Sequence, residues 1–316
     1  MDVTLPFAAC RNPAVDPTYD ALSTWVSNIG MAELRSVKGV FTTTRVGEFS
    51  SYAYPFSDHS TRAMIDGWVL WTLIVDELFE EKLTAGELNP WPSDSDDPAT
   101  ALAAVDPLAA PKHHLNALAD LSARTVEDMP ATWQREFHGH VAKFVRSCHQ
   151  EAANRLSRTD TTVDIPGFAA LRRGSFATDM FMDLVERVYR VPAPEGPAIT
   201  PIVAELRACA ADLGGWCNDV LSYRREVGSE DRNNLVLLLT LQTSAPIEQA
   251  VRNALTRVHD RAWQFVTLKS DLARLLRHSK VSDCIVADAF QWVLGIELLV
   301  SGSLTFQRLS QRWQEQ

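Results

Sequence analysis

The sequence predicts an all-α fold, in which about ten helices pack as a single bundle. Two long segments, 246–277 and 281–309, carry apolar residues at helical spacing. The apolar run Leu235–Leu241 has no neighbouring run with which a strand could pair, and no segment alternates apolar and polar residues as sheets do. Because 46% of the 316 residues are hydrophobic, the chain can bury a large core, and we assign residues 1–316 to one domain.

The elements follow in order along the chain. Residues 1–18 hold three prolines and predict an irregular N-terminal arm, and 84–112 hold five of the sixteen prolines and predict a loop. Two weaker helical pieces flank Thr42–Thr44 within 31–59. The predicted helices are 19–29, a long helix from a cap at Ser60 or Thr61 to about Leu83, 113–126, 130–158, 165–190 with a break near Gly174, 201–227, one restarting at Asn233, 246–277 and 281–309.

Composition excludes several classes of partner. The net charge is −10 and no basic block is present, which argues against nucleic acid and against anionic membrane surfaces. No basic segment leads into a long apolar stretch near Met1, and runs such as Leu235–Leu241 are too short to span a bilayer. The five scattered cysteines predict reduced thiols in a cytoplasmic protein without stable membrane association. Monomer and homodimer both stay open.

A ladder of oxygen-bearing side chains marks the segment 213–226. Asn218, Ser222 and Glu226 recur at i, i+4 and i+8, and each step advances about 40° round a helix and about 6 Å along it. An amide, a hydroxyl and a carboxylate are hard oxygen ligands, which suit Mg²⁺ or Mn²⁺. Because the upstream segment 202–213 is mostly apolar, the ladder is predicted to start on a buried helix, where solvation does not explain it.

An acidic cluster ends an earlier apolar run, Trp68–Val75. Asp76 and Glu80 share a helix face at i, i+4, and Glu77 and Glu81 lie one step round. Like charges at this spacing repel, and acids are unfavourable at a helix C-terminus. Bound cations explain the cluster; a solvated helix end is the alternative. The nearby acidic run 94–97 is set aside as a loop, because Pro92 and Pro98 flank it.

Paired arginines complete the set. Arg172-Arg173-Gly-Ser-Phe-Ala177 precedes the ladder, and Arg224-Arg225 lies inside it. Guanidinium groups bind phosphate oxygens in bidentate fashion. Metal ligands and arginines together indicate a bound anion.

With these motifs the chain resembles a class I terpene synthase of the microbial type. The family's second metal motif, Asn-Asp-x-x-Ser-x-x-x-Glu, is matched in full by Asn218, Asp219, Ser222 and Glu226. Asp76-Glu-Leu-Phe-Glu80 is similar to the family's aspartate-rich motif, with Glu at the second and last acidic places. The resemblance covers nearly the whole chain and implies a bundle whose two metal motifs face one central apolar cavity.

The resemblance also implies roles for the arginines. Arg172-Arg173-Gly-Ser-x-Ala177 is similar to the family's Arg-Arg-x-Thr-x-Gly segment, so Arg173 would sense the diphosphate, Phe176 would be the linker and Ala177 the helix-break effector. Arg225 would bind diphosphate too. The family's late Arg-Tyr pair has no match; Arg308-Leu309 is the nearest substitute, with Arg312-Trp313 next.

The implied reaction is the metal-dependent ionisation and cyclisation of a linear prenyl diphosphate, with farnesyl diphosphate (C15) ahead of C20 and C10 substrates. Three Mg²⁺ ions are implied, with Asp76 on one side and Asn218, Ser222 and Glu226 on the other. Glu80 and Glu77 would be outer or conditional ligands. Aromatic faces stabilise cations by about 0.5–2 kcal/mol each, and the candidates for the cavity wall are Phe56, Trp71, Phe79, Phe176 and Trp292. Alternatives are a chain-elongating prenyl diphosphate synthase and a catalytically silent helical binding protein.

Overall fold

The computed structural model of the chain describes residues 3–13, 18–87, 112–157, 164–227, 233–279 and 281–310. Within these ranges it contains α-helices, one short 3₁₀ turn at Val46–Glu48 and no strand, which confirms the predicted all-α class. The helices are α1 Tyr19–Asn28, α2 Arg35–Thr43, α3 Phe49–Ala53, α4 His59–Ala85, α5 Lys112–Val126, α6 Ala131–Ser157, α7 Ile165–Ser175, α8 Thr178–Tyr189, α9 Thr200–Glu226, α10 Leu235–Thr243, α11 Ile247–His278 and α12 Asp283–Leu309.

The start of α4 differs from the prediction. Asp58, not Ser60 or Thr61, is the cap: its backbone is extended and its carboxylate accepts a hydrogen bond from the Thr61 N–H at 2.7 Å. Asp58, Ser60 and Thr61 could each cap a helix, and only the backbone geometry distinguishes them. The helix ends at Gly86 in the left-handed conformation (φ 71°).

The break between α7 and α8 falls later than predicted. Gly174 lies inside α7, where an added Cβ would overlap the Ser147 side chain on α6. Its missing side chain therefore allows close helix packing and does not end the helix. The chain turns at Phe176 and Ala177, and Ala177 adopts a left-handed backbone (φ 57°) before α8 begins at Thr178.

The helices that carry the two acidic motifs anchor different groups of neighbours. α4 packs against α1, α2, α3, α5 and α6, whereas α9 packs against α7, α8, α10, α11 and α12. Two other helices join the groups: α6 contacts α4, α7 and α8, and α12 contacts α3, α8, α9 and α11. The buried apolar side chains of both groups form one continuous core.

The N-terminal arm packs against α11 and α12. Ser301 on α12 donates to the Ala8 carbonyl at 3.0 Å, and Phe7 meets Phe265 edge to face at 5.2 Å. By length and composition α12 is apolar enough to cross a membrane, which inspection of short apolar runs did not reveal. Over half of its most apolar window is buried within the fold, as in the core helix of a globular protein.

Several predictions concern residues outside the described ranges. These are most of the loop 84–112, with its acidic run 94–97, and the link 229–232 between α9 and α10. Arg312-Trp313, the second substitute for the Arg-Tyr pair, lies there as well.

Candidate active site

The oxygen ladder lies on the C-terminal half of α9. Asn218 and Ser222 are buried, and Glu226, the last residue of the helix, is nearly so. The preceding turns are buried as well, from Cys209 to Val220. The helix therefore carries its polar row through the interior, as the sequence predicts, so bulk water does not explain the row.

Arg172 contacts the ladder directly. Its Nη2 donates to Asn218 Oδ1 at 2.9 Å and to Asp219 Oδ1 at 2.7 Å, and its Nε donates to the same Asp219 oxygen at 3.0 Å. Burial alone would lower the pKa of Arg172, but the carboxylates of Asp219, Glu151 and Glu226 outweigh it and raise this pKa above its ordinary value. Arg172 is thus a permanent cation beside the predicted metal ligands.

Arg173, the predicted diphosphate sensor, points away from the ladder. Its guanidinium makes a bidentate pair with Asp212, at 2.6 and 2.8 Å, and Arg261 on α11 binds the same carboxylate at 2.7 Å. Asp212 lies six residues before Asn218, about 120° round the helix. The two neighbouring arginines therefore contact different faces of α9. Arg172 contacts the ladder, and Arg173 forms a structural ion pair with Asp212.

Two consecutive glycines on α9 make room for α7 and the break after it. A Cβ on Gly215 would lie 3.0 Å from Arg172 Cγ, and one on Gly214 would lie 3.0 Å from the Phe176 ring. The Arg172 guanidinium also lies 5.5 Å from the centre of that ring. Gly214 and Gly215 thus hold Arg172 and the predicted linker Phe176 close to the ladder helix, and the helix break at Ala177 follows immediately.

Asn234 is wholly buried and stands at the start of α10. Its amide nitrogen donates to Glu226 Oε2 at 2.8 Å and to the Asp219 carbonyl at 2.9 Å, and it lies 3.4 Å from Ser222 Oγ. Its amide oxygen accepts from the Val236 N–H at 2.8 Å. One side chain therefore joins the helix start to two ladder residues.

A second buried amide contacts the other end of the ladder. Gln307 on α12 accepts from Asn218 Nδ2 at 3.4 Å and donates to Ser303 Oγ at 3.1 Å. This contact assigns the nitrogen of Asn218 to the α12 side and its oxygen to the side of Arg172. The oxygen is the atom that a hard cation would need.

The acidic motif occupies the last turns of α4. Asp76 and Glu77 are half-buried, and Glu80 forms an ion pair with Arg155 of α6. In this structure the Glu80 carboxylate is therefore held by a cation of the protein. The predicted roles of Asp76 as primary metal ligand and of Glu77 and Glu80 as outer or conditional ligands stay predictions.

The buried thiol of Cys148, on α6, lies close enough to charged groups of the acidic motif and of the arginine pair for them to shift its pKa. Burial, followed by the carboxylates of Asp76 and Glu151, raises the pKa of Cys148, while the Arg172 guanidinium lowers it. Cys148 on α6 is therefore within electrostatic range of Asp76 on α4 and of Arg172 on α7. Arg172 also lies 3.9 Å from Glu151 and 2.9 Å from Asn218 on the ladder.

The aromatic candidates fall into different environments. Phe56 is 67% exposed, so it does not fit the predicted cavity wall; it lies beside Tyr189 at the surface. Trp71, Phe79 and Trp292 are buried. The indole of Trp71 donates to the His114 carbonyl, and that of Trp292 donates to Glu186, so both carry structural contacts. Phe176 lies against Gly214 of the ladder helix and beside Arg172.

The remaining predicted anion ligands lie at the margins of the site. Arg225 is 53% exposed and lies 3.4 Å from Glu226. Arg308 on α12 donates to the Val3 carbonyl of the N-terminal arm. It lies near enough to Cys217, on α9 next to Asn218, to lower the pKa of that thiol, although burial dominates and raises it to about 12. Arg308 therefore stands between the arm and the ladder helix.

Sequence reasoning missed Arg172, Glu151, Asn234 and Gln307 as site residues. Glu151 had a signal, since it stands on the apolar stripe of α6 three residues after buried Cys148. Asn234 had one too, because Asn directly before an apolar run is typical of a helix cap. Gln307 had none, and Arg172 could not be separated from its neighbour Arg173 without the packing.

The donor set fits a hard divalent cation. The ladder offers amide, hydroxyl and carboxylate oxygens, and the acidic motif adds carboxylates, which are the ligands that Mg²⁺ binds. Burial raises the pKa of Cys217, the nearest cysteine on α9, to about 12.

Comparison with known proteins agrees with this geometry. Residues 67–264 match the family model described as terpene synthase family 2, C-terminal metal binding. The chain is 27% identical to a (+)-T-muurolol synthase of Roseiflexus castenholzii that cyclises (2E,6E)-farnesyl diphosphate, over 79% of this chain and 76% of the relative. It is 23% identical to germacrene A synthase of Nostoc punctiforme, over 98% and 93% respectively.

A solved structure shows the same fold. The linalool/nerolidol synthase of Streptomyces clavuligerus, in complex with 2-fluorogeranyl diphosphate, superposes with a TM-score of 0.79 over 98% of this chain and 100% of that one, at 17% identity. Because the family model spans well over half of the chain and includes both acidic motifs, the chain belongs to the terpene synthase family and is a class I terpene synthase, a lyase that acts on prenyl diphosphates.

Proposed function

We propose that this chain is a Mg²⁺-dependent terpene cyclase that ionises farnesyl diphosphate, cyclises the hydrocarbon and releases diphosphate. The observation that carries the proposal is the contact of Arg172 with Asn218 and Asp219, since it places a cation beside a buried row of oxygen ligands. The cyclisation of farnesyl diphosphate by the relative from Roseiflexus supports C15 as the substrate length. Substrates of C20 and C10 rank second and third.

Metal ions bound here would neutralise the charge that develops on the departing diphosphate. We assign Asp76 to one side of the metal cluster and Asn218, Ser222 and Glu226 to the other, with three Mg²⁺ in total and Mn²⁺ as an acceptable substitute. Glu80 joins when it leaves Arg155, and Glu77 supports Asp76.

Arg172 is the arginine that we assign to the diphosphate. In the structure its guanidinium binds Asp219 and Asn218, so a diphosphate arriving with metal ions would compete for the same donors. A planar guanidinium matches phosphate oxygens in bidentate fashion. Arg225 and Arg308 remain proposed as further diphosphate ligands from the rim, and Arg173 is reassigned to holding α7 on α9 through Asp212.

Phe176 and Ala177 keep their proposed roles at the helix break. The Phe176 ring lies beside the Arg172 guanidinium and against Gly214 of α9, so a displacement of Arg172 towards diphosphate would change the surroundings of the ring. We propose that the cavity wall also includes Trp71, Phe79 and Trp292. Each would contribute the ring face that its contacts with other protein groups leave uncovered. An apolar enclosure would exclude water from the allylic cation.

We further propose that residues 1–316 act as one domain, in the cytoplasm, as a monomer or homodimer. All five cysteines are free thiols, which suits a reducing compartment. Nucleic acid is not a proposed partner, in view of the net charge of −10.

The proposal is tested by mixing purified protein with farnesyl diphosphate and Mg²⁺ and following inorganic diphosphate release, with chelator as the control. Metal-dependent release supports the lyase. If diphosphate appears only when isopentenyl diphosphate is added and longer prenyl diphosphates accumulate, the chain is an elongating synthase instead. If no diphosphate appears, and Mg²⁺ with substrate does not raise the melting temperature, the chain is a silent binding protein.

A further inference from the structure

The contacts of Asn234 exceed what a helix cap requires. Its amide oxygen does the capping, accepting from the N–H groups of Val236 at 2.8 Å and Leu237 at 3.4 Å. Ser, Thr and Asp supply such an oxygen equally well. The choice of an amide therefore needs a second reason, which lies on the nitrogen side of the group.

The amide nitrogen faces two residues of the ladder. It donates to Glu226 Oε2 at 2.8 Å and lies 3.4 Å from Ser222 Oγ, and it also donates to the backbone carbonyl of Asp219 at 2.9 Å. Asn234 is 0% exposed, so these N–H groups have no access to water. A buried donor without a partner is costly, which fixes the amide in this orientation.

The orientation has a direct consequence for Glu226. With Oε2 held by Asn234, the other oxygen, Oε1, lies 3.4 Å from the exposed Arg225 guanidinium. Oε1 is therefore the carboxylate oxygen of Glu226 that faces away from Asn234. A carboxylate fixed through one oxygen loses less conformational freedom when the other oxygen binds a cation.

We propose that Asn234 is a positioning residue of the metal site: its amide nitrogen holds Glu226 and Ser222 in their ligating geometry while its amide oxygen caps α10. This inference rests on the proposed function of the ladder as a metal site. Asn234 contacts neither metal nor substrate. It raises metal affinity by organising the ligands before the cation arrives.

The deciding variant is Asn234→Ser, which keeps a capping oxygen but is too short to reach Glu226. The matched control is Asp58→Ser, which makes the same kind of cap exchange at the start of α4, where Asp58 accepts from the Thr61 N–H. Asn234→Thr, which refills more of the volume, serves as a second variant with the same predicted outcome if the serine variant does not fold.

Binding of Mn²⁺ in the presence of inorganic diphosphate is followed by electron paramagnetic resonance, and the Mg²⁺ dependence of turnover is measured beside it. We expect Asn234→Ser to weaken Mn²⁺ binding and to raise the half-saturating Mg²⁺ concentration by about 10- to 100-fold, the range for loss of an outer-shell partner. Excess Mg²⁺ should restore most of the rate. Asp58→Ser should leave both quantities within about twofold of the wild type, since its cap touches no ladder residue.

Unchanged metal binding in a folded Asn234→Ser or Asn234→Thr protein overturns the inference, and so does a loss of rate that excess Mg²⁺ does not restore. The metal assay separates this inference from the proposed function. A wild type that binds Mn²⁺ with diphosphate but turns over no prenyl diphosphate contradicts the cyclase and leaves the role of Asn234 measurable. A wild type that binds no Mn²⁺ under these conditions overturns both.

Discussion

The guanidinium of Arg172 lies 2.9 Å from the amide oxygen of Asn218, the atom that the ladder would present to a metal ion. If Asn218 binds a metal ion through this oxygen, as we propose, the metal ion and Arg172 compete for it, and a guanidinium displaced from the oxygen becomes available to an incoming phosphate group. Metal and diphosphate are expected to bind together more tightly than either does alone.

Replacing Arg172 should therefore change the affinity for Mn²⁺ in opposite directions without and with diphosphate. Without diphosphate, Arg172→Ala should bind Mn²⁺ more tightly, by roughly tenfold, because a repelling charge beside the ladder is removed. In the presence of diphosphate, the variant should bind Mn²⁺ less tightly than the wild type does. Titrations followed by electron paramagnetic resonance measure both affinities, and weaker Mn²⁺ binding in the absence of diphosphate would contradict the displacement.

Replacing Arg172 and replacing Arg173 should have different effects on turnover. Arg172→Ala should lose at least about a hundredfold in turnover, the cost of removing one preorganised donor. Arg173→Ala should keep most of its activity and lose about 1–3 kcal/mol of stability, because buried Asp212 loses one of the two arginines that bind it among the described residues. Turnover and thermal unfolding of both variants distinguish the assignments. Loss of turnover in Arg173→Ala alone would return the diphosphate role to Arg173.

The arginine pair illustrates what the sequence could and could not predict. Its position before the ladder indicated an anion site, but adjacent residues on a helix point about 100° apart, so the choice of arginine depended on how α7 packs on α9. Glycines 214 and 215, which set that packing, give no such signal in the sequence. The ladder itself was predictable because all its members lie on one helix at fixed spacing.

The same distinction holds for the fold. Long segments such as α11 and α12 were predicted within about two residues, because their apolar periodicity is local information. The helix break was predicted near Gly174 but lies at Phe176 and Ala177, since Gly174 is required by contact with Ser147 on another helix. Long-range packing, not local preference, decided the choice between the arginines and the position of the helix break.

Loss of the ladder oxygens should abolish chemistry without unfolding the protein. Asn218→Ala and Glu226→Ala are each expected to lower turnover at least about a hundredfold, because each removes a proposed metal ligand. Glu248→Ala, an exposed acid in the first turn of α11, is the control and should retain full rate. Steady-state assays with Mg²⁺ measure the rates; near-normal turnover in both ladder variants would eliminate the metal role.

The left-handed backbone of Ala177 predicts an asymmetric response to substitution. Ala177→Gly should be neutral or slightly stabilising, since glycine adopts φ near 57° without a steric cost. Ala177→Val should destabilise by about 1–3 kcal/mol, because a β-branched residue resists this conformation. Thermal unfolding of the pair gives the comparison. Equal melting temperatures for both variants would mean that the break relaxes out of the left-handed region.

The contact between α3 and α12 depends on Gly302. A Cβ at this position would overlap the Tyr52 carbonyl, a backbone group that cannot rotate away. Gly302→Ala should destabilise by about 1–3 kcal/mol. Gly139→Ala on α6, where the added Cβ meets nothing within 4 Å, should instead stabilise by about 0.5–1 kcal/mol. Denaturant unfolding tests both signs, and an equally stable Gly302→Ala protein would show that these helices move apart.

The most direct test of the central claim is product analysis by mass spectrometry. Purified protein is incubated with C10, C15 and C20 prenyl diphosphates, each with Mg²⁺ and with chelator, beside Glu226→Ala. We expect a cyclic hydrocarbon or alcohol from farnesyl diphosphate that requires both Mg²⁺ and Glu226. A product spectrum of linear alcohols alone, or a cyclic product that persists with chelator or in Glu226→Ala, would contradict it.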